Sequence, residues 1–243
     1  MWASTALENA DIRCRFLRLN ISSMKTMNNP TKSLSRYARQ AQFAPLGDEG
    51  QRRLAAGLVF LCGCGALGAI LAEMLARAGV GFLRIVDRDF LEPSNLQRQF
   101  LYDEADVAAG LPKSIAAADR LRKINSQIEI EPIVADVDST NILALARDVD
   151  VLLDGTDNFE TRYLINDAAI ELGTPWIYGG CIGAEGRTMT IIPGETACLA
   201  CLMPEPPPAG STPTCDTAGI LGPAVGMVAS LQAAEAIKLL SGQ

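Results

Sequence analysis

The chain has 243 residues, 49% of them hydrophobic and 20% charged, which allows one large domain with a substantial core and excludes intrinsic disorder. Its net charge is −7 with no dense basic cluster, which excludes nucleic acid as the main partner, because neutralising phosphates takes a cationic face. Seven cysteines, an odd number in a chain too large to need disulfide staples, suit a reducing, cytoplasmic setting.

Residues 1–33 show no clear periodicity and read as a poorly ordered leader, with the domain over residues 34–243. The acidic Glu8 and Asp11 argue against a targeting peptide. Residues 58–62 form an apolar run ending in glycines, the pattern of a buried parallel strand. Residues 66–78 have helical spacing and stop at Gly79, and residues 82–86 make a second strand ending at Asp87. A helix is expected over 112–124, with Pro112 in its first turn, then a strand over 128–134 and a helix around 140–146. A strand over 149–153, a helix over 158–172 and strands over 175–178 and 188–192 follow. A loop at 193–217, rich in Pro, Gly and Cys, precedes a helix through 218–240. The most apolar segment, residues 218–231, is interrupted by Gly222-Pro223 and is too short to span a bilayer; it reads as a buried helix, and no membrane association is expected. Strands alternating with helices predict an α/β fold: a doubly wound, mostly parallel Rossmann-like sheet with helices on both faces.

Gly63-Cys64-Gly65-Ala66-Leu67-Gly68 follows the first strand and opens a helix. Glycines at Gly63, Gly65 and Gly68 permit a tight turn and close approach by a phosphate, and the helix N-terminus offers free N–H groups. Asp87, 19 residues beyond Gly68 at the end of the second strand, is placed to accept from ribose hydroxyls. These features alone favour NAD. The next loop, Ser94-Asn95-Leu96-Gln97-Arg98-Gln99, changes that reading, since Arg98 can fork onto phosphate oxygens and Asn95 can bond ribose or phosphate. Lys113 adds a cation, and Asp157, after the strand at 149–153, adds a carboxylate for Mg²⁺. Two phosphate-seeking cations and a spare carboxylate suit a triphosphate better than a dinucleotide.

With Arg36-Tyr37-Ala38-Arg39-Gln40, Thr156-Asp157-Asn158, Cys198-x-x-Cys201 and residues 218–223 added, this ordered set resembles the ThiF/MoeB/HesA family, bacterial relatives of the ubiquitin-activating enzymes. The resemblance runs from about Ser35 to Gly242. It implies ATP- and Mg²⁺-dependent adenylation of the C-terminal glycine carboxylate of a small ubiquitin-like sulfur-carrier protein ending in Gly-Gly, with release of pyrophosphate, in molybdopterin, thiamine or related sulfur metabolism. It further implies Asp87 on the ribose, Asn95, Arg98 and Lys113 on the phosphates, Asp157 on Mg²⁺, and Arg39 reaching the ATP of a neighbouring subunit in a homodimer. Tyr37 reads as packing. The chain has no histidine, and the reaction needs none: an α-carboxyl with a pKa of roughly 3.3–3.7 is ionised at neutral pH and attacks the α-phosphorus without a base.

Among the cysteines, Cys62 and Cys64 in the glycine loop serve as small side chains, Cys181 reads as a buried thiol, and Cys14 lies in the leader. Cys215 falls where some family members place a cysteine used in sulfur transfer. Cys198 and Cys201 have zinc-knuckle spacing, but relatives supply two more ligands from a second Cys-x-x-Cys near the C-terminus, and this chain stops at Gln243. The expectation is a chain truncated relative to the family, with a half-site that holds zinc weakly or not at all. Three rival readings remain: a NAD(P)-dependent oxidoreductase, a non-catalytic scaffold of the same fold, and adenylation of a tRNA-linked carboxylate.

Overall fold

The computed structural model of the chain describes residues 30–208, 211 and 215–243. The leader expected over 1–33 lies outside the described residues through Asn29, as does Cys14, and its last four residues belong to helix α1 (Pro30–Ala41). The chain divides into two compact units, Met1–Ala38 and Arg39–Gln243, and the second carries the sheet and its cavity.

The elements of that unit, in order, are α2 (Gly47–Ala56), β1 (Leu58–Cys62), α3 (Ala66–Ala78), β2 (Phe82–Val86), α4 (Glu104–Ala109), α5 (Lys113–Ile124), β3 (Glu129–Ile133), α6 (Ile142–Leu145), β4 (Val151–Asp154), α7 (Phe159–Leu172), β5 (Trp176–Ile182), β6 (Glu185–Ile191), α8 (Leu199–Leu202), α9 (Cys215–Ala218) and α10 (Gly222–Ser241). The sheet order is β3-β2-β1-β4-β5-β6. The first five strands are parallel, and β6 returns antiparallel to β5 from Trp176↔Ile191 to Ile182↔Glu185. The chain works outward from β1 to β3 and then crosses back to β4 on the other side of β1. The carboxyl ends of β1 and β4 therefore splay apart at a topological switch point, where open α/β sheets bind their ligands.

Period-two alternation sends side chains of each strand to two cores. Val59 and Leu61 of β1 join Leu83, Ile85, Val151 and Leu153 under α3, α5 and α10. Phe60 and Cys62 join Val86, Leu152, Trp176 and Tyr178 on the opposite face, with Ile165 and Ala169 of α7. Both faces are covered, as a mostly parallel sheet requires. Helix α3 stops at Gly79, whose left-handed backbone (φ +87°) lets its N–H reach Leu75 O and Ala76 O.

The apolar segment at 218–231 runs differently from the sequence expectation. Gly222-Pro223 opens a helix rather than breaking one, and α10 continues for 20 residues, long and apolar enough by composition to cross a membrane. Its Val225, Ala229, Ala233 and Ala236 are buried in the core beside α3 and the sheet, so here it acts as a packing helix.

Candidate active site

The glycine loop is shaped by backbone meeting backbone. Gly63 has φ +85°, and a Cβ on it would lie 2.7 Å from Gly155 O, in the loop after β4. A Cβ on Gly68 or on Gly155 would collide with Gly63 O. Three glycines from β1, α3 and β4 thus interlock, aided by the bond from Gly155 N–H to Cys62 O at 2.8 Å. Gly65 differs: it opens onto a cavity, with only the Gln99 amide 3.7 Å from a Cβ built there.

That cavity, about 610 Å³, lies over the ends of β1, β2 and β4 and is of the size that small-molecule ligands occupy. Gly63, Gly65, Asp87, Asn95, Arg98, Lys113 and Asp157 all line it, so most of the site predicted from sequence converges on one space. Gly68 sits behind the wall, fixing α3 against the loop.

Asp87 is largely buried. Its Oδ2 accepts the Cys64 N–H at 2.6 Å and its Oδ1 the Asp89 N–H at 2.8 Å. Burial raises its pKa from the ordinary aspartate value, against the pull of those two N–H donors and of Lys113. The Lys113 ammonium, 9% exposed, pairs with Asp89 Oδ2 at 3.0 Å, and its backbone N–H donates to Asp89 O. Tyr102 ties these parts together, its hydroxyl lying 2.8 Å from Cys64 O and 3.2 Å from Lys113 O. Asn95 is held in its 3₁₀ turn (Pro93–Asn95) by accepting the Glu92 N–H, while Arg98 donates to Ser94 O at 2.9 Å and lines the cavity.

Asp157 is exposed at the cavity mouth on a loop that is braced from beneath. Fully buried Asp154, at the end of β4, accepts from Thr156 N–H and Oγ and pairs with Arg162 Nε at 3.1 Å. Arg162, on the first turns of α7, also donates to Thr156 O and Gly179 O and packs over the Phe159 and Tyr178 rings. Asn158 caps α7 by accepting the Thr161 N–H. Sequence reasoning missed Asp89, Gly155 and the Asp154–Arg162 pair. Their signals were available in Asp87-Arg88-Asp89, in the glycine after Asp154, and in an arginine one helical turn beyond the Asn158 cap.

Two predicted groups stand elsewhere. Arg39 is exposed, bonds Gln42 Oε1 at 3.2 Å and is absent from the cavity wall. The Cys198 and Cys201 sulfurs lie 3.5 Å apart, near the roughly 3.8 Å expected of two thiolates sharing a tetrahedral zinc. Among the described residues no third His, Cys, Asp or Glu joins them, so they make half a zinc site and do not by themselves fit the metal. Burial pushes the Cys64 thiol up to about 12 and Cys62 well above its ordinary range, in keeping with inert small side chains. Cys181 is only partly buried and lines the cavity, which corrects the expectation of a fully buried thiol.

Residues 37–243 match the ThiF family. The chain belongs to that family. Relatives within it include the sulfur carrier protein ThiS adenylyltransferase of Bacillus subtilis (strain 168), 51% identical over 86% of this chain and 61% of that protein. The SAMP-activating enzyme E1 of Haloferax volcanii is 41% identical over 88% of this chain and 78% of its own length. The adenylyltransferase and sulfurtransferase MOCS3 of Sus scrofa is 42% identical over 85% of this chain and 45% of its own. The chain thus spans about half to four-fifths of these curated relatives. Among solved structures, that of E. coli MccB with ATP superposes with a TM-score of 0.73 at 25% identity, over 85% of this chain and 63% of MccB. The ThiF-family chain therefore shares its doubly wound frame with a protein crystallised with ATP.

Proposed function

We propose that this chain uses ATP and Mg²⁺ to adenylate the C-terminal glycine carboxylate of a small ubiquitin-like sulfur-carrier protein ending in Gly-Gly, releasing pyrophosphate. The observation that carries the reading is the convergence of Arg98, Lys113 and Asp157 beside the glycine loop in one cavity at the strand switch point. A dinucleotide oxidoreductase leaves the set of Asn95, Arg98, Lys113 and Asp157 unexplained. The names of the relatives point to the same substrate class.

In this reading Asp87 accepts from the ribose through lone pairs that its two backbone donors leave free. Asn95, Arg98 and Lys113 hold the phosphates, and Lys113 exchanges its Asp89 partner for a phosphate oxygen as the nucleotide enters. Asp157 would supply a ligand to Mg²⁺, which would neutralise phosphate charge there. The glycine carboxylate, already ionised, attacks the α-phosphorus as the α–β bridging bond breaks. The protein's part is to align two anions and to neutralise the charge that gathers on pyrophosphate. Arg39, which does not line its own cavity, serves a neighbouring subunit's nucleotide in a homodimer. The setting is the cytoplasm, and the pathway is synthesis of molybdopterin, thiamine or a related sulfur compound.

The test is ATP–pyrophosphate exchange with labelled pyrophosphate, with and without a carrier ending in Gly-Gly. Exchange that needs Mg²⁺ and the intact Gly-Gly end is expected. Tight NADH binding with no response to ATP would refute the reading in favour of an oxidoreductase.

A further inference from the structure

Gln99 follows the phosphate-facing arginine and has no part in the reading above. Its side chain is 3% exposed, yet it borders the cavity. Its Oε1 is buried and has no hydrogen-bond partner among the described residues. Buried polar atoms are almost always paired, so an exception calls for a cause. Turning the amide over does not supply one, because that only exchanges oxygen for nitrogen at the same unpartnered inner position.

The outer end of the carboxamide faces Gly65, with Nε2 3.7 Å from where a Cβ on that glycine would stand. Gly63 and Gly68 are glycines because backbone from a neighbouring element fills the place of their side chains, but nothing of that kind crowds Gly65. The space over Gly65 is open to the cavity, and Gln99 borders it. The main chain that carries it is held at both ends: the Gln99 backbone N–H donates to Asn95 O at 3.0 Å, and the Gln99 backbone carbonyl accepts the Tyr102 N–H at 3.2 Å.

We infer that Gln99 is a nucleotide-binding residue whose amide N–H donates across Gly65 to the phosphate chain. This rests on the adenylation reading for the identity of the ligand. Along its triphosphate ATP offers acceptors only, so the nitrogen end of the amide is the one it engages. A neutral donor at this point orients the chain without adding to the charge of Arg98 and Lys113, which leaves those cations to respond to pyrophosphate departure. That bond uses the outward Nε2 and forms only when nucleotide is bound, while Oε1 stays at the inner end of the amide.

The experiment compares wild type with Gln99→Leu and the isosteric Gln99→Glu. It measures the unliganded unfolding midpoint and, by calorimetry in Mg²⁺, the Kd for ATP and for adenosine. A hydrogen bond to a charged group predicts that Gln99→Leu weakens ATP about 10- to 100-fold and leaves adenosine within about twofold. Its unliganded midpoint should not fall, since an orphaned amide has been replaced by an apolar group. Gln99→Glu should weaken ATP further, by turning a carboxylate toward the phosphates, and it decides the matter if the leucine variant does not fold. Equal losses for ATP and adenosine, or unchanged ATP binding in either variant, would overturn the inference. Wild type that binds ATP yet activates no carrier would leave the Gln99 assignment standing and remove the proposed reaction. Wild type that binds no ATP removes both.

Discussion

The Asp154–Arg162 pair sets a stringent demand on the architecture of the site. Arg162→Leu would leave a fully buried carboxylate without its cation, and breaking a buried pair by removing one partner costs about 3–5 kcal/mol. Asp154 keeps the Thr156 N–H, the Thr156 hydroxyl and the Gly179 N–H as donors, so the lower end, about 3 kcal/mol, is expected. For a unit of this size that corresponds to a fall in Tm of about 6–12 °C, at about 2–4 °C per kcal/mol. Urea unfolding should show a lower midpoint with an unchanged slope. ATP affinity should fall with it, because the carbonyl of Thr156, next to Asp157, loses its guanidinium partner. Replacing Asp154 by Asn in the same chain should recover part of the loss, since a neutral amide is cheaper to bury than an unpaired carboxylate. A stability change below about 1 kcal/mol in Arg162→Leu would refute the argument, because surface pairs contribute that little.

Arg98→Ala, Lys113→Ala and Asp157→Ala should each slow acyl-adenylate formation by at least about 10²-fold while unfolding near the wild-type temperature, as measured by pyrophosphate exchange and thermal melts. Mixing Arg39→Ala with Asp157→Ala subunits should restore activity if Arg39 acts across a dimer, and failure after proven subunit exchange would assign it to its own subunit or to no role. Asp87 accepts most strongly from ribose when ionised, and burial raises its pKa from the ordinary aspartate value. Adenosine affinity should therefore be full at neutral pH and weaken on acidification sooner than an unshifted aspartate would allow, a dependence that Asp87→Asn should abolish in calorimetric titrations. Elemental analysis of the 243-residue chain, purified in reducing buffer, should find well under one zinc per subunit, and stoichiometric zinc that disappears in Cys198→Ser would show that further ligands complete the pair.

Legibility in the sequence followed burial. The three elements of the first βαβ unit, Leu58–Cys62, Ala66–Ala78 and Phe82–Val86, stand at their expected bounds because apolar runs and glycines mark both ends. Helix α2 was missed because it buries only Gly50, Gln51 and Leu54, too few to print a 3.6-residue repeat. Helix α4 buries nothing at all, and its one signal was the Asp103 cap, which accepts from Ala105 and Asp106 N–H. Strand β6 begins three residues earlier than expected because Glu185, Gly186 and Arg187 are exposed and carry no apolar mark. At the site, side chains whose chemistry faces the ligand were recognisable by type. Those whose partners are distant in sequence, such as Lys113 with Asp89 or Gly155 with Gly63, became visible only in three dimensions.

The interlock of Gly63, Gly68 and Gly155 has a mechanical corollary. The loop that would receive the phosphates and the loop that carries Asp157 touch through main-chain atoms, with no side chain between them to act as a bearing. A shift of one loop therefore presses directly on the other, which ties the placement of the phosphate cradle to that of the segment leading to the proposed magnesium ligand. Any adjustment on substrate entry must come from the opposite wall, where Arg98 and Lys113 hold partners that they can release.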